Sequence, residues 1–234
     1  ETNDADRALH LMRLLKSDPL TARIKIIGCM QGLEYFYHKQ NPEDTDYAFK
    51  DLVTYMPMLD ENYNRWDRHY FADYDIEPDR ENVWNYAVGT ARLAIDAPGI
   101  NNRITGLDLF HRDVSGYVIW DTIAWEHPYS DSKNPWIDPH TDPWGNGALC
   151  YFYPPRKDGP ASEPDWTIIP SLRVETYRES VDDYEYARIL EDLIVRSEPA
   201  GIDVSAARQV MTDVGRFFHN PVHWSQNDAW FLEL

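Results

Sequence analysis

Pro170-Ser171-Leu172-Arg173-Val174-Glu175-Thr176-Tyr177-Arg178-Glu179-Ser180-Val181-Asp182-Asp183-Tyr184-Glu185-Tyr186 is the stretch that organises this chain. It sets two arginines and five acids on roughly four turns of predicted helix. Val174, Tyr177, Val181 and Tyr184 recur at spacings of three and four, so they are expected on one buried face. The helix is expected to span residues 171–195, the longest in the chain. Glu175 with Arg178, and Arg178 with Asp182, have the spacing of exposed helical ion pairs. Arg173 and Glu185 are expected to make buried links that lock the helix to the end of the fold, a structural rather than a catalytic duty.

Upstream of that helix, short apolar runs recur. Ile24-Lys25-Ile26-Ile27-Gly28-Cys29 reads as a buried strand. Leu52-Val53-Thr54-Tyr55-Met56 reads as a second, ended by Pro57. Val83-Trp84-Asn85-Tyr86-Ala87-Val88 is a third and Gly116-Tyr117-Val118-Ile119-Trp120 a fourth. They lie roughly 30 residues apart, the length of one βα unit. Residues 4–17 read as an amphipathic helix with Ala8, Leu11, Met12, Leu14 and Leu15 at its apolar positions, stopped by Pro19. Residues 61–74 and 100–110 are expected to be helical. Residues 148–153 form a further strand candidate, and 203–219 a last helix capped by Asp203 or Ser205. Residues 125–147 are rich in Pro, Asp and Trp. They read as a long ordered loop, since Trp125, Trp136 and Trp144 disfavour disorder.

Strands of this kind between helical or irregular connections argue for the α/β class, with a parallel sheet covered on both faces. Four strands are too few for an eightfold barrel, which needs about 250 residues. They suffice for the C-terminal half of a (β/α)8 TIM barrel with a long closing helix and a further C-terminal helix, and that is the expected fold. A doubly wound sheet is the competing architecture. No Gly-x-Gly-x-x-Gly follows any strand, so its usual nucleotide use lacks support. The chain reads as one domain over residues 1–234. Residues 1–125 would hold barrel strands four or five to eight, 126–170 the aromatic loop and short strand, and 171–234 the closing helices.

Twenty-two basic and 40 acidic residues give a net charge of −18. That balance repels phosphate backbones and argues against nucleic acid or an anionic membrane surface as partner. No apolar run is long enough to span a membrane. Aromatic residues make up 14% of the chain, with nine tryptophans. Several fall in loops among carboxylates, which suits sugars: rings cover apolar sugar faces and acids accept hydroxyl protons. Cys29 and Cys150 fit no zinc or redox spacing and read as buried thiols. No His-Glu-x-x-His, Gly-x-Ser-x-Gly, phosphate loop or Cys-x-x-Cys occurs, and no cofactor is expected.

In a parallel barrel the chemistry sits just past the C-terminal ends of the strands. Those positions hold Gln31 and Glu34; Asp60, Glu61 and Tyr63; Tyr86, beside Trp84; and Trp120, Asp121, Trp125 and Glu126. Recurring acids and aromatics there suit a glycosidase pocket, although an acidic protein carries acids on its loops in any case. Asp138-x-His140-x-Asp142 has spacing compatible with a hard metal. Its flanking prolines and Trp144 favour an ordered loop instead, and no metal is assigned.

Five pieces, in order, resemble the catalytic domain of glycoside hydrolase family 123. Asn82-Val83-Trp84-Asn85-Tyr86 resembles its strand-seven motif. Gly116-Tyr117-Val118-Ile119-Trp120, with Trp125 beyond, resembles strand eight. Asp142-Pro143-Trp144-Gly145-Asn146-Gly147 with Tyr153-Pro154 resembles the loop before the closing helix. Pro170 to Glu175 and Arg178 to Tyr186 resemble that helix, with Ser180 where the family usually has glycine. The resemblance implies a (β/α)8 barrel that cleaves N-acetylhexosaminides, N-acetylgalactosamine in the known cases, with retention by a substrate-assisted route. The substrate's acetamido oxygen attacks the anomeric carbon. An Asp–Glu pair at the end of strand four assists: the Asp orients the acetamido group and the Glu protonates the leaving oxygen. Glu1 falls at that Glu, as candidate general acid, or just beyond the pair, and the chain is expected to be part of a longer product. Asp60, Tyr63, Trp84, Tyr86, Trp120, Asp121 and Trp125 would bind substrate. The implied partner is a glycan or glycoconjugate and the implied compartment extracellular or periplasmic. A non-catalytic carbohydrate-binding or scaffold barrel is the alternative.

Overall fold

The structure is a computed structural model that describes residues 5–27, 56–59, 83–87, 94–119, 121–123, 135–141, 145–147, 150–155, 168–216, 218–220 and 223–224. Two compact units divide the chain: residues 1–86 with 113–118, and residues 87–112 with 119–234.

The first unit opens with helix α1 (Ala5–Ser17). The helix stops just before Pro19, as its sequence dictates. The Asp18 carboxylate accepts the Leu20 amide at 2.8 Å. Lys16 Nζ donates to the carbonyls of Ala22 and Ile24 at 3.1 and 2.8 Å, folding the exit back on the last turn. Leu11, Leu14 and Leu15, expected on a buried face, are exposed. Residues 24–26 hold no regular structure and Ile27 makes a single bridge, so the strand expected there is not formed among the described residues.

Three strands of this unit pair in the order β1-β2-β3: β1 (Met56–Leu59), β2 (Val83–Ala87) and β3 (Gly116–Ile119). β1 and β2 are parallel, with Met56 opposite Val83 and Leu59 opposite Tyr86. The second strand was expected to end at Pro57; instead Pro57 lies inside it, opposite Trp84. A parallel strand sends alternate residues' hydrogen bonds to opposite sides, so a flanking strand tolerates one missing donor. Asp113 adopts φ 61°, a left-handed conformation that Asp reaches more easily than most residues. It leads into Val114, which is buried.

The second unit is helical. It contains α2 (Ile100–Arg103), α3 (Thr105–His111), α4 (Leu172–Ser197) and α5 (Ser205–Arg216). The helix expected over 100–110 is therefore two, meeting at Ile104. The final helix stops at Arg216 rather than His219. His219 instead lies in β8 (Phe218–Asn220), paired antiparallel with β9 (His223–Trp224). The Phe217-Phe218 pair and Pro221 in that stretch favour extended backbone.

The long loop expected over residues 125–147 contains a hairpin, β4 (His140–Thr141) with β5 (Gly145–Asn146). β6 (Phe152–Tyr153) pairs with β7 (Ile169–Pro170) and delivers the chain to α4. Among the described residues these strands close no barrel, and the fold they show is mixed α/β.

The buried line of α4 is Ser180, Ala187 and Ile194, each two turns apart. Val181, expected on the buried face, is 43% exposed because it sits about 100° round from that line. Ala187 packs with Ile104, Leu107 and Val214, with Phe110 at their edge. The small Ser180 lets α3 come close. A Cβ on Gly106 would lie 1.8 Å from the Ser180 carbonyl oxygen. The Gly106 amide, in the first turn of α3 where no intrahelical acceptor exists, donates to Ser180 Oγ at 2.5 Å. The hydroxyl that stands where the resemblance leads one to expect glycine thus satisfies a buried N–H.

Candidate functional site

β2 carries the first group of candidate side chains. Successive strand residues face opposite ways, so Trp84 and Tyr86 share one face and Asn85 lies on the other. Trp84 lies against Gly116 of β3: a Cβ there would be 2.1 Å from the indole. The glycine thus makes room for the ring. Trp84 stays partly accessible, whereas Tyr86 is 3% exposed and packs as core. Asn85, flanked by β1 and β3, is fully buried, and neither its Oδ1 nor its Nδ2 has a hydrogen-bond partner among the described residues.

Asp121 belongs to the second unit. Its Oδ1 accepts the Ile123 amide at 2.9 Å, an Asx turn that fixes the chain just past β3. The turn presents the Thr122 carbonyl to the amides of Tyr151 and Phe152 at 2.9 and 3.1 Å, and Ile123 bridges Cys150, a buried thiol. The Asp121 carboxylate is half-buried. Glu1, Asp60, Tyr63, Trp120 and Trp125 lie outside the described residues, as do Gln31, Glu34, Glu126, Asp142 and Cys29.

The segment from 135 to 155 is tied to the start of α4. Arg173 donates to the Gly147 carbonyl at 2.5 Å and to the Cys150 carbonyl, and its guanidinium lies 5.4 Å from the centre of the Tyr151 ring. Tyr151 reaches on to Asn102 Oδ1 at 2.8 Å in a buried bond. Trp136 packs on Tyr153 with ring centres 4.7 Å apart, and its Nε1 donates to the Pro154 carbonyl at 3.1 Å. The structural duty expected of Arg173 is met; Glu185, expected to share it, is exposed. Asp138 is exposed, and among the described residues no group of three acids, histidines or cysteines is placed to hold a metal.

Two titratable groups of this unit depart from their ordinary behaviour. Burial pushes the Asp183 carboxyl up to about 6; Arg103 opposes the rise, while Glu179 and Asp182 add to it. Arg103 donates to Asp183 Oδ1 at 2.7 Å and to Glu179 at 3.2 Å, so one guanidinium serves two acids. Burial holds His111 below the usual histidine range, aided by Arg112 and opposed by Asp108. Both groups lie on helix–helix contacts.

Sequence reasoning centred on aromatic and acidic side chains passed over Asn85. Its signal was present, since Asn is depleted in strands and sits here in the middle of an apolar run. No family model matches this chain, and no curated protein matches it in sequence. Among solved structures, a family 123 glycoside hydrolase from Clostridium perfringens, studied for glycolipid glycan hydrolysis, matches 93% of the chain at 14% identity with a TM-score of 0.55. The chain spans 33% of the length of that enzyme. At this identity the likeness establishes a shared fold over the matched part.

Proposed function

We propose that this chain is the C-terminal half, from strand four or five to the closing helix, of a glycoside hydrolase barrel, acting on N-acetylhexosaminides with retention through the substrate's own acetamido group. One observation carries the reading. A solved structure whose fold runs along 93% of the chain is a family 123 glycoside hydrolase, the family whose motifs the residues resemble in order. On this reading β1, β2 and β3 are barrel strands six, seven and eight, α4 closes the barrel, and residues 1–234 form part of a single catalytic domain.

The proposed roles follow from chemistry. A sugar ring stacks on Trp84, the more accessible aromatic of β2, with Tyr86 packed behind as support. Asp121 keeps Oδ2 for a sugar hydroxyl while Oδ1 holds its turn. Asp60, Tyr63, Trp120 and Trp125 are the further proposed substrate-binding residues, and Glu1 is the proposed general acid.

The test uses the polypeptide in its full encoded length. It is incubated with 4-nitrophenyl N-acetylhexosaminides and with the matching hexosides that lack the acetamido group. Release from the first set alone is expected, because only those substrates carry the internal nucleophile. Release from both sets equally would remove the substrate-assisted route. Sugar binding without release would favour the non-catalytic carbohydrate-binding barrel. Neither binding nor release would sink the glycan reading.

A further inference from the structure

We infer that Tyr151 is a positioning residue for substrate binding: its buried hydroxyl, bonded to Asn102, fixes the segment that holds the Asp121 turn. The inference rests on the glycan reading above, in which Asp121 accepts a sugar hydroxyl, and adds a residue that acts only through another.

Tyr151 is the point where three parts of the second unit meet. Its amide donates to the Thr122 carbonyl at 2.9 Å, next to Asp121. Its carbonyl accepts the amide of Ser171, the residue before α4, at 2.9 Å. Its hydroxyl donates to Asn102 Oδ1 of α2 at 2.8 Å. Arg173 faces its ring, and the Tyr177 ring lies 6.2 Å from it, centre to centre. Tyr151 and Asn102 are both almost wholly buried. One residue thus ties the Asp121 turn to α2 and to the start of α4.

The hydroxyl is what packing alone does not call for. A phenylalanine would fill the same space, and a buried hydroxyl lowers stability unless it is bonded. Here the bond also serves the buried Asn102 amide, so the ring and α2 are held in one relation. The angle of the ring sets where the Tyr151 backbone lies, and its amide sets where the Thr122 carbonyl lies. Asp121 depends on that support. Its Oδ1 accepts the Ile123 amide, which leaves Oδ2 as the oxygen for a ligand, and the direction of Oδ2 follows the turn. A hydrogen bond to a sugar hydroxyl weakens steeply as its angle departs from linear. A small shift of the turn therefore costs affinity although no contact with the sugar is removed.

A double-mutant cycle of Tyr151→Phe and Asp121→Asn in the full-length polypeptide tests this. Tyr151→Phe removes one oxygen and keeps the ring. Asp121→Asn keeps an Oδ1 for the turn and exchanges the accepting Oδ2 for a donor. Affinity for N-acetylgalactosamine and N-acetylglucosamine is measured by calorimetric titration, and folding by thermal melting. Tyr151→Phe is expected to weaken binding about fivefold in the unaltered protein and less than about twofold in the Asp121→Asn background. Asn102→Ala, which removes the acceptor instead, should show the same dependence on Asp121. A purely structural role would lower the melting temperature in both backgrounds and leave affinity unchanged, and that result overturns the inference. Equal losses of affinity in the two backgrounds overturn it too, since Tyr151 would then act elsewhere. Full affinity in Asp121→Asn alone removes Asp121 from the site and the inference with it. If the unaltered protein binds neither sugar, the glycan reading itself falls, a result separable from the others.

Discussion

The contact between α3 and α4 and the strand β2 treat buried polar groups in opposite ways. At the helical contact, an N–H that its own helix leaves unserved meets the Ser180 hydroxyl. Asp108, almost wholly buried, is gripped by Arg112 four residues on. Arg188 lies over the rings of Phe110 and Tyr184. In β2, Asn85 is as deeply buried and has nothing to bond among the described residues. Satisfied polarity specifies how elements dock; unsatisfied polarity lowers stability. The difference separates polarity that docks two helices from polarity that a strand leaves unbonded among the described residues.

The sharpest way to break the scaffold side is Gly106→Ala. The new methyl would meet the Ser180 carbonyl oxygen at 1.8 Å, and that atom is backbone, so no side chain can swing aside. The helices must part, opening the packing around Ile104, Leu107 and Ala187. A loss of about 3 kcal/mol or more is expected, read as a lower urea midpoint. A variant as stable as the parent would mean that the two helices are not docked at this distance.

Arg173→Ala comes next. It removes two charge-assisted bonds to carbonyls and the cation facing Tyr151, leaving the Gly147 and Cys150 carbonyls without that donor. The expected cost is about 2 kcal/mol. Arg173→Lys should recover only part of it, since one ammonium cannot reproduce a planar fork. Full recovery by lysine would mean that charge alone, and not the two-carbonyl geometry, holds the start of α4.

Asp183 lies between the two extremes. One oxygen is bonded to Arg103 and the other is buried without a partner among the described residues. Its carboxyl is pushed up to about 6 from 3.8, so between those values the folded protein holds a proton that the unfolded chain has released. Stability contributed by this group therefore falls as pH rises through that window. Asp183→Asn cannot ionise and still offers Arg103 an oxygen. It should equal the parent below about pH 4 and exceed it by on the order of 2 kcal/mol above pH 6. Denaturant titrations of both proteins across pH 4 to 8 check this. A difference that does not change with pH would show that the Arg103 bond balances the burial.

The sequence made some of this legible and hid the rest for physical reasons. β2, β3 and α4 announce themselves through apolar runs and helical spacing, and their limits fall within two residues of expectation. Pro57 misled because a proline reads as a stop, while a flanking strand can hold one. Arg173 was legible as a lock because an arginine at the start of a helix needs acceptors elsewhere. Glu185 was not, because it sits about 140° round the helix from the Ser180 line. The Gly106–Ser180 contact spans 74 positions and leaves no periodic trace, so only the fold reveals why both residues are small. Asn85 was visible as an oddity in an apolar strand, but its burial and lack of partners belong to the packing.

The smallest effect is expected where the sequence pattern was plainest. Arg178 has Glu175 at 3.1 Å and Asp182 at 3.7 Å, the pairs that helical spacing foretold, and all three side chains are more than half exposed. The Glu175 hydrogen bond and its charge hold the guanidinium above its ordinary range. Water already solvates both partners, and holding two long side chains in one geometry costs rotamer freedom, so little is gained when they meet. Arg178→Ala should leave the melting temperature within about 1 °C of the parent, and alanine's helix preference offsets part of any loss. A drop comparable to that of Arg173→Ala would mean that this face of α4 is covered in the working protein, and the exposed side of the closing helix would then have to be counted with the scaffold.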